Sequence, residues 1–147
     1  KYKINVVVDD PEERNPDGGR LFLNYGHTLG HALEAGGSYE ELLHGEAVSI
    51  GMMYAAQLAI EQNVAEDEGD LIVKQEALLK KLGLEDFLTY KGSAKLEAIL
   101  GNMKNDKKSI GGDTGSFILP RAIGQMTVRQ VSQKEVKASV RKFLRAA

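Results

Sequence analysis

The sequence predicts a mainly helical domain with a small β element near residues 116–130. Three observations carry this. Apolar residues recur at helical spacing through several segments between Arg20 and Asn105. Alternation suited to strands is confined to "FILP" and "GQMTVRQV", on either side of "RAIG". And 147 residues, 42% hydrophobic and 27% charged, suit one soluble globular domain, residues 1–147, with a real core.

Ile4 to Val8 ("INVVV") is β-branched and reads as a strand on propensity alone. Asp9 to Gly19 ("DDPEERNPDGG") holds two of the three prolines and is a polar loop. Arg20 to Ala35 reads as one helix, ended by Gly36 and Gly37. After a short connection, Gly45 to Gln62 reads as a long buried helix. Its glycines, alanines and Ser49 would let another helix approach closely. Glu46 lies in its first turn, where the helix dipole favours an anion.

Glu66 to Gly83 is a third helix, acidic at its start and basic at its end, with Gly83 as its C-cap. Ser93 to Asn105 is a fourth, with Leu96, Ile99, Leu100 and Met103 on one face. "DKKSIGGDTGS" is a loop, basic and then glycine-rich. The last helix opens with the capping box Ser132 to Glu135 and buries Val136, Val140, Phe143 and Leu144.

Several function classes are disfavoured. The net charge of −2 gives no basic face for nucleic acid. No apolar run is long enough to span a membrane and no leader pattern opens the chain, so the default compartment is the cytoplasm. With no cysteine, any metal must be held by His, Asp or Glu. The chain starts without Met inside an apolar run, as if cut from something longer.

Chemistry concentrates in "RLFLNYGHTLGHALEA". With Arg20 at zero on a continuous helix, Asn24 falls at about 40°, His27 at about −20°, His31 at about 20° and Glu34 at about −40°. One stripe roughly 80° wide therefore carries the strongly polar side chains, while the other faces are apolar. Such a helix lines a polar cavity. The third histidine, His44, opens the next helix, so two adjacent helices can bring all three imidazoles together. Neutral imidazole is a common zinc ligand, and catalytic zinc takes three protein ligands plus an open position. The spacing alone leaves open which histidines ligate. Glu34 and Glu46 are local candidates for a third ligand. Thr28 after His27 breaks the H-E-x-x-H pattern, which disfavours a metalloprotease.

"LNYGHTLGHALEA", followed by "LLHGEAVSIGM", closely resembles the signature of the 3-dehydroquinate synthase and wider sugar-phosphate cyclase family. "MKNDKKSIGG" and "FILPRAIGQ" resemble its later segments. The likeness covers only that family's helical C-terminal, metal-binding domain. It implies a lyase of the shikimate pathway, leading to aromatic amino acids. The implied reaction turns 3-deoxy-arabino-heptulosonate 7-phosphate into 3-dehydroquinate and phosphate. Its steps are oxidation at C5 by NAD, phosphate elimination, re-reduction, ring opening and intramolecular aldol closure. The implied cofactors are NAD and a divalent metal, zinc or cobalt, and the full-length enzyme would be a homodimer.

By the same resemblance His27 and His44 are metal ligands and His31 meets the substrate near its phosphate. Arg20 and Asn24 match substrate-binding positions, Lys3 matches a carboxylate contact, and Lys107 or Lys108 a further anion contact. An arginine fork and several lysines suit a substrate carrying both carboxylate and phosphate. The resemblance also makes "YKINVVVDD" the end of a helix rather than a strand.

Three departures follow. The family's third metal ligand is a glutamate of an ExxK segment, which this chain lacks. The NAD-binding domain is expected to be absent too: Gly111, Gly112 and Gly115 follow no strand and read as loop glycines. And the loop before Arg20 departs from the family's DExExGxR, leaving Glu12, Glu13 and Asp17 as candidates for its substrate-site acid. The chain alone is therefore expected to bind metal weakly and turn over little. The alternatives are a cyclase acting on another sugar phosphate and a non-catalytic metal or sugar-phosphate binding domain.

Overall fold

In the computed structural model, residues 2–15, 18–37, 41–105, 110–111 and 113–145 are described. Six α-helices and one antiparallel sheet are seen among them. Tyr2–Asp9 (α1) is a helix, as the resemblance implies and against the strand propensity of its valines. It stops at Asp10, whose carboxylate accepts hydrogen bonds from the backbone N–H of Arg14, Asn15 and Arg20. That one side chain organises the loop that leads to the site.

The expected helix Arg20 to Ala35 is two elements. Gly19–Asn24 is a 3-10 helix and His27–Gly36 (α2) an α-helix, with Gly26 between them at φ 80°. The periodic stripe from Arg20 to Glu34 is therefore broken at Gly26. Only its α2 portion, His27, His31 and Glu34, keeps helical spacing.

His44–Glu61 (α3) is the central helix, and its Ala47, Ile50, Tyr54, Leu58 and Ala59 are buried. Glu46 accepts from the Leu43 backbone N–H at 2.7 Å, closing the first turn as a capping acid. Glu68–Lys81 (α4) is capped by Asp67, which accepts from the Asp70 N–H. It ends in a Schellman motif, with Leu84 N–H on the Leu79 carbonyl and Gly83 N–H on that of Lys80. Gly83 takes the positive φ that motif needs.

Leu96–Asn105 (α5) packs on α2. Ile110–Gly111 (β1), Thr114–Ala122 (β2) and Gln125–Ser132 (β3) form a sheet in the order β1-β2-β3. The β element is thus longer than the alternation suggests, and Gly111 and Gly115 lie in strands rather than a loop. Gly115 is buried opposite Val131, where no side chain is needed to keep the register. Gln133–Arg145 (α6) begins with the expected capping box, Glu135 N–H on the Ser132 hydroxyl and Ser132 N–H on the Glu135 carboxylate. Side chains of α2, α3, α5, α6 and both long strands meet in one core around Leu29, Leu58, Ile99, Leu119, Val131 and Val140. No described helix is long and apolar enough to cross a membrane.

Candidate metal centre

The site lies where α2 crosses α3, and glycines make that crossing close. A Cβ on Gly51 would fall inside the Gly26 carbonyl oxygen, and one on Gly26 would sit 2.8 Å from Met52 N and from Val48 O. Gly30 faces the Ala47 carbonyl, where a Cβ would approach to 3.2 Å. Backbone therefore rests on backbone, which no larger residue permits. The small residues of α3 do what their composition predicts.

This contact carries His27 and His31 on α2 up to His44 at the first position of α3. Their ring centroids are 5.2 Å (His27–His31), 5.3 Å (His27–His44) and 5.8 Å (His31–His44) apart. One ring nitrogen from each lies within 4.8 Å of the other two. A tetrahedral zinc with nitrogens at about 2.0–2.1 Å holds them roughly 3.4 Å apart, which lies inside that limit.

Two of the three rings are oriented by a partner that can only accept. His27 Nδ1 lies 3.1 Å from the Tyr25 carbonyl, and His44 Nδ1 lies 3.2 and 3.3 Å from the two carboxylate oxygens of Glu34. Both Nδ1 atoms donate, and in the neutral ring that leaves the lone pair on Nε2. Metal-binding histidines carry this kind of support. His31 has no hydrogen-bond partner among the described residues. Burial holds the His27 pKa below its ordinary 6.5; the Tyr25 bond opposes that, and His31 and His44 add to it. A neutral imidazole is the form that ligates. The donor set thus fits a divalent metal.

Tyr25 is itself held. Its hydroxyl donates to Gln75 Oε1 of α4 at 2.5 Å, and Gln75 Nε2 donates to the Met52 carbonyl at 3.0 Å. Burial pushes the Tyr25 pKa up, although Gln75 opposes it, so the hydroxyl stays a donor. The sequence reading missed Tyr25 and Gln75. A tyrosine beside the histidines and a glutamine on the apolar face of α4 were the available signals.

The expected anion contacts are arranged differently. Arg20 Nη1 donates to the Pro11 carbonyl at 2.5 Å, and Asn24 Nδ2 donates to Glu13 Oε1 at 3.1 Å. Both side chains engage the loop after α1 rather than the imidazoles. Of the three acids considered for this loop, Glu13 is the one bonded to a site residue; Asp17 lies outside the described residues, and Glu12 pairs with Arg14. Lys3 is exposed on α1. Lys107 and Lys108 lie outside the described residues.

Three facing imidazoles at a helix crossing, two with anchored Nδ1 atoms, make a helical domain with a donor set that could hold a metal ion. A family model described as 3-dehydroquinate synthase C-terminal matches residues 1–109, and the chain belongs to that family. Among its relatives, a 3-dehydroquinate synthase of Crocosphaera subtropica is 39% identical over 134 residues, covering 91% of this chain and 34% of the relative. One of Rhodopirellula baltica is 42% identical over 139 residues, covering 94% and 35%. The chain thus spans about a third of the length of these relatives. A crystal structure of 2-deoxy-scyllo-inosose synthase, complexed with carbaglucose-6-phosphate, NAD+ and Co2+, is similar at TM-score 0.80 and 26% identity. That likeness covers 97% of this chain and 39% of the other. A 2-epi-5-epi-valiolone synthase of Streptomyces hygroscopicus, with NAD+ and Zn2+ bound, shares the fold at TM-score 0.68 and 19% identity, covering 98% and 38%.

Proposed function

We propose that this chain is the metal- and substrate-binding part of a 3-dehydroquinate synthase. Its substrate is 3-deoxy-arabino-heptulosonate 7-phosphate, and NAD is bound mainly by a domain outside these residues. Family membership supports the reaction. The observation that carries the site is the pair of acceptor-anchored imidazoles, His27 on the Tyr25 carbonyl and His44 on Glu34. In this reading the complete enzyme is a cytoplasmic homodimer with no nucleic-acid or membrane partner.

His27 and His44 would hold zinc or cobalt through Nε2. When bound, the metal supplies a Lewis acid for the hydroxyl being oxidised and NAD supplies the hydride acceptor. His31, beside them and exposed, receives the phosphate end of the substrate. Arg20 and Asn24 hold its anionic groups. The neutral carbonyl now on Arg20 is a weaker partner than a carboxylate, so an incoming substrate can replace it. Lys3 and one of Lys107 and Lys108 complete the counter-charge.

Phosphate release from the heptulosonate phosphate, in enzyme carrying this chain together with its NAD-binding domain, tests the reading. His27→Ala and His44→Ala should each lower it by more than about 100-fold, as expected for losing a metal ligand. Arg20→Ala should act mainly on KM. Undiminished turnover in both histidine variants would sink the proposal. The likeness to 2-deoxy-scyllo-inosose synthase favours one second reading, a cyclase of another sugar phosphate. Faster turnover of glucose 6-phosphate than of the heptulosonate would select it.

A further inference from the structure

His44 stands at the very start of α3, and its side chain is 58% exposed. It touches the rings of His27 and His31 but is not held by burial as His27 is. Glu34, on the next turn of α2 after His31, is a carboxylate whose side chain is only 11% exposed. A carboxylate so shielded from water needs a donor. Among the described residues its one hydrogen-bond partner is His44, and both of its oxygens face that Nδ1, at 3.2 and 3.3 Å. The bond links the two helices at the edge of the site.

We infer that Glu34 is a positioning residue for the metal centre, fixing His44 as the Nδ1–H tautomer and turning its Nε2 toward His27. The inference rests on His27 and His44 being metal ligands. It also removes Glu34 as a ligand in its own right. With both oxygens on His44 Nδ1, it stands behind the imidazole, and it is not among the side chains whose ligand atoms converge. An unrestrained neutral histidine side chain favours the Nε2–H tautomer, so an exposed His44 without Glu34 would lose much of its ligating form. The chain thus carries its own support for a ligand whose backbone position gives little.

Two measurements on the 147-residue chain test this. Nitrogen-15 NMR of the metal-free histidines should find His44 as the Nδ1–H tautomer. In Glu34→Ala it should move toward Nε2–H, while His27, held by the Tyr25 carbonyl, does not change. Calorimetric Co2+ titration should then show Glu34→Ala binding roughly 10- to 100-fold more weakly. Glu34→Gln, whose amide oxygen still accepts from Nδ1, should regain most of that loss. An unchanged His44 tautomer in Glu34→Ala overturns the inference. So does equal weakening by Ala and Gln, which would make charge or packing the cause. Unchanged Co2+ binding in His44→Ala overturns the metal reading instead, and with it the role assigned to Glu34.

Discussion

At the α2–α3 crossing two backbones touch through Gly26, Gly30 and Gly51, and side chains are kept out. Further along α3, Tyr54 meets α6 through large side chains: its ring and that of Phe143 pack edge to face at 5.6 Å, beside buried Val136 and Val140. One contact of α3 is defined by close approach, the other, within a turn of it, by filled volume. The first fixes where three imidazoles stand, the second gives the helix and hairpin a platform. Substitutions should therefore sort by effect: bulk damages the first contact, truncation the second, and only the first should reach the metal.

The largest effect should come from Gly51→Ala. With the Gly26 carbonyl in the way, α2 and α3 must separate, at a cost of about 3 kcal/mol or more. A lowered thermal midpoint and lost Co2+ binding should appear together; a variant that folds and binds normally would erase the distinction. Next, Phe143→Ala should destabilise by about 3–5 kcal/mol while leaving the Co2+ affinity of the folded fraction unchanged. Urea unfolding beside calorimetry separates the two readings. Ser132→Ala should cost about 1 kcal/mol through loss of the α6 cap, again with no change in metal affinity.

The smallest effect is one of pH. Hydrogen bonds from Ser132, side chain then backbone, hold the Glu135 carboxyl below its ordinary 4.5. Its ionised form is favoured in the folded chain, so its contribution is complete above pH 4.5 and is lost as pH falls through the lowered value. Glu135→Gln should flatten the acid side of the stability curve, measured as thermal midpoint against pH. An equally steep curve would deny Glu135 this role.

The two regions also differ in how far they could be read from sequence. The capping box at Ser132, the stripe through Val136, Val140 and Phe143, and the C-cap at Gly83 are local signals, and each stands as expected. The meeting of His27, His31 and His44 was legible from their crowding into one window. The break at Gly26 was not. The spacing of Arg20, Asn24, His27 and His31 happens to suit a continuous helix, whereas the turn is imposed by Val48 and Met52 of a different helix. Likewise, the loop bonds of Arg20 and Asn24 depend on Asp10 folding its own loop, a tertiary fact without a local pattern. For α1, β-branched residues pointed to a strand, and only family resemblance gave the helix.

The touching carbonyl of Gly26 and the Cα of Gly51 also form a fulcrum. His44 lies seven residues before Gly51, so about 10 Å along the axis at 1.5 Å per residue. A tilt of α3 by about 8° about that point swings His44 by roughly 1.5 Å. Such a displacement is comparable with a zinc–nitrogen bond of about 2.0–2.1 Å. The angle of that crossing thus sets how far His44 stands from the imidazoles of α2, so a substitution that tilts α3 at Gly51 is felt at His44.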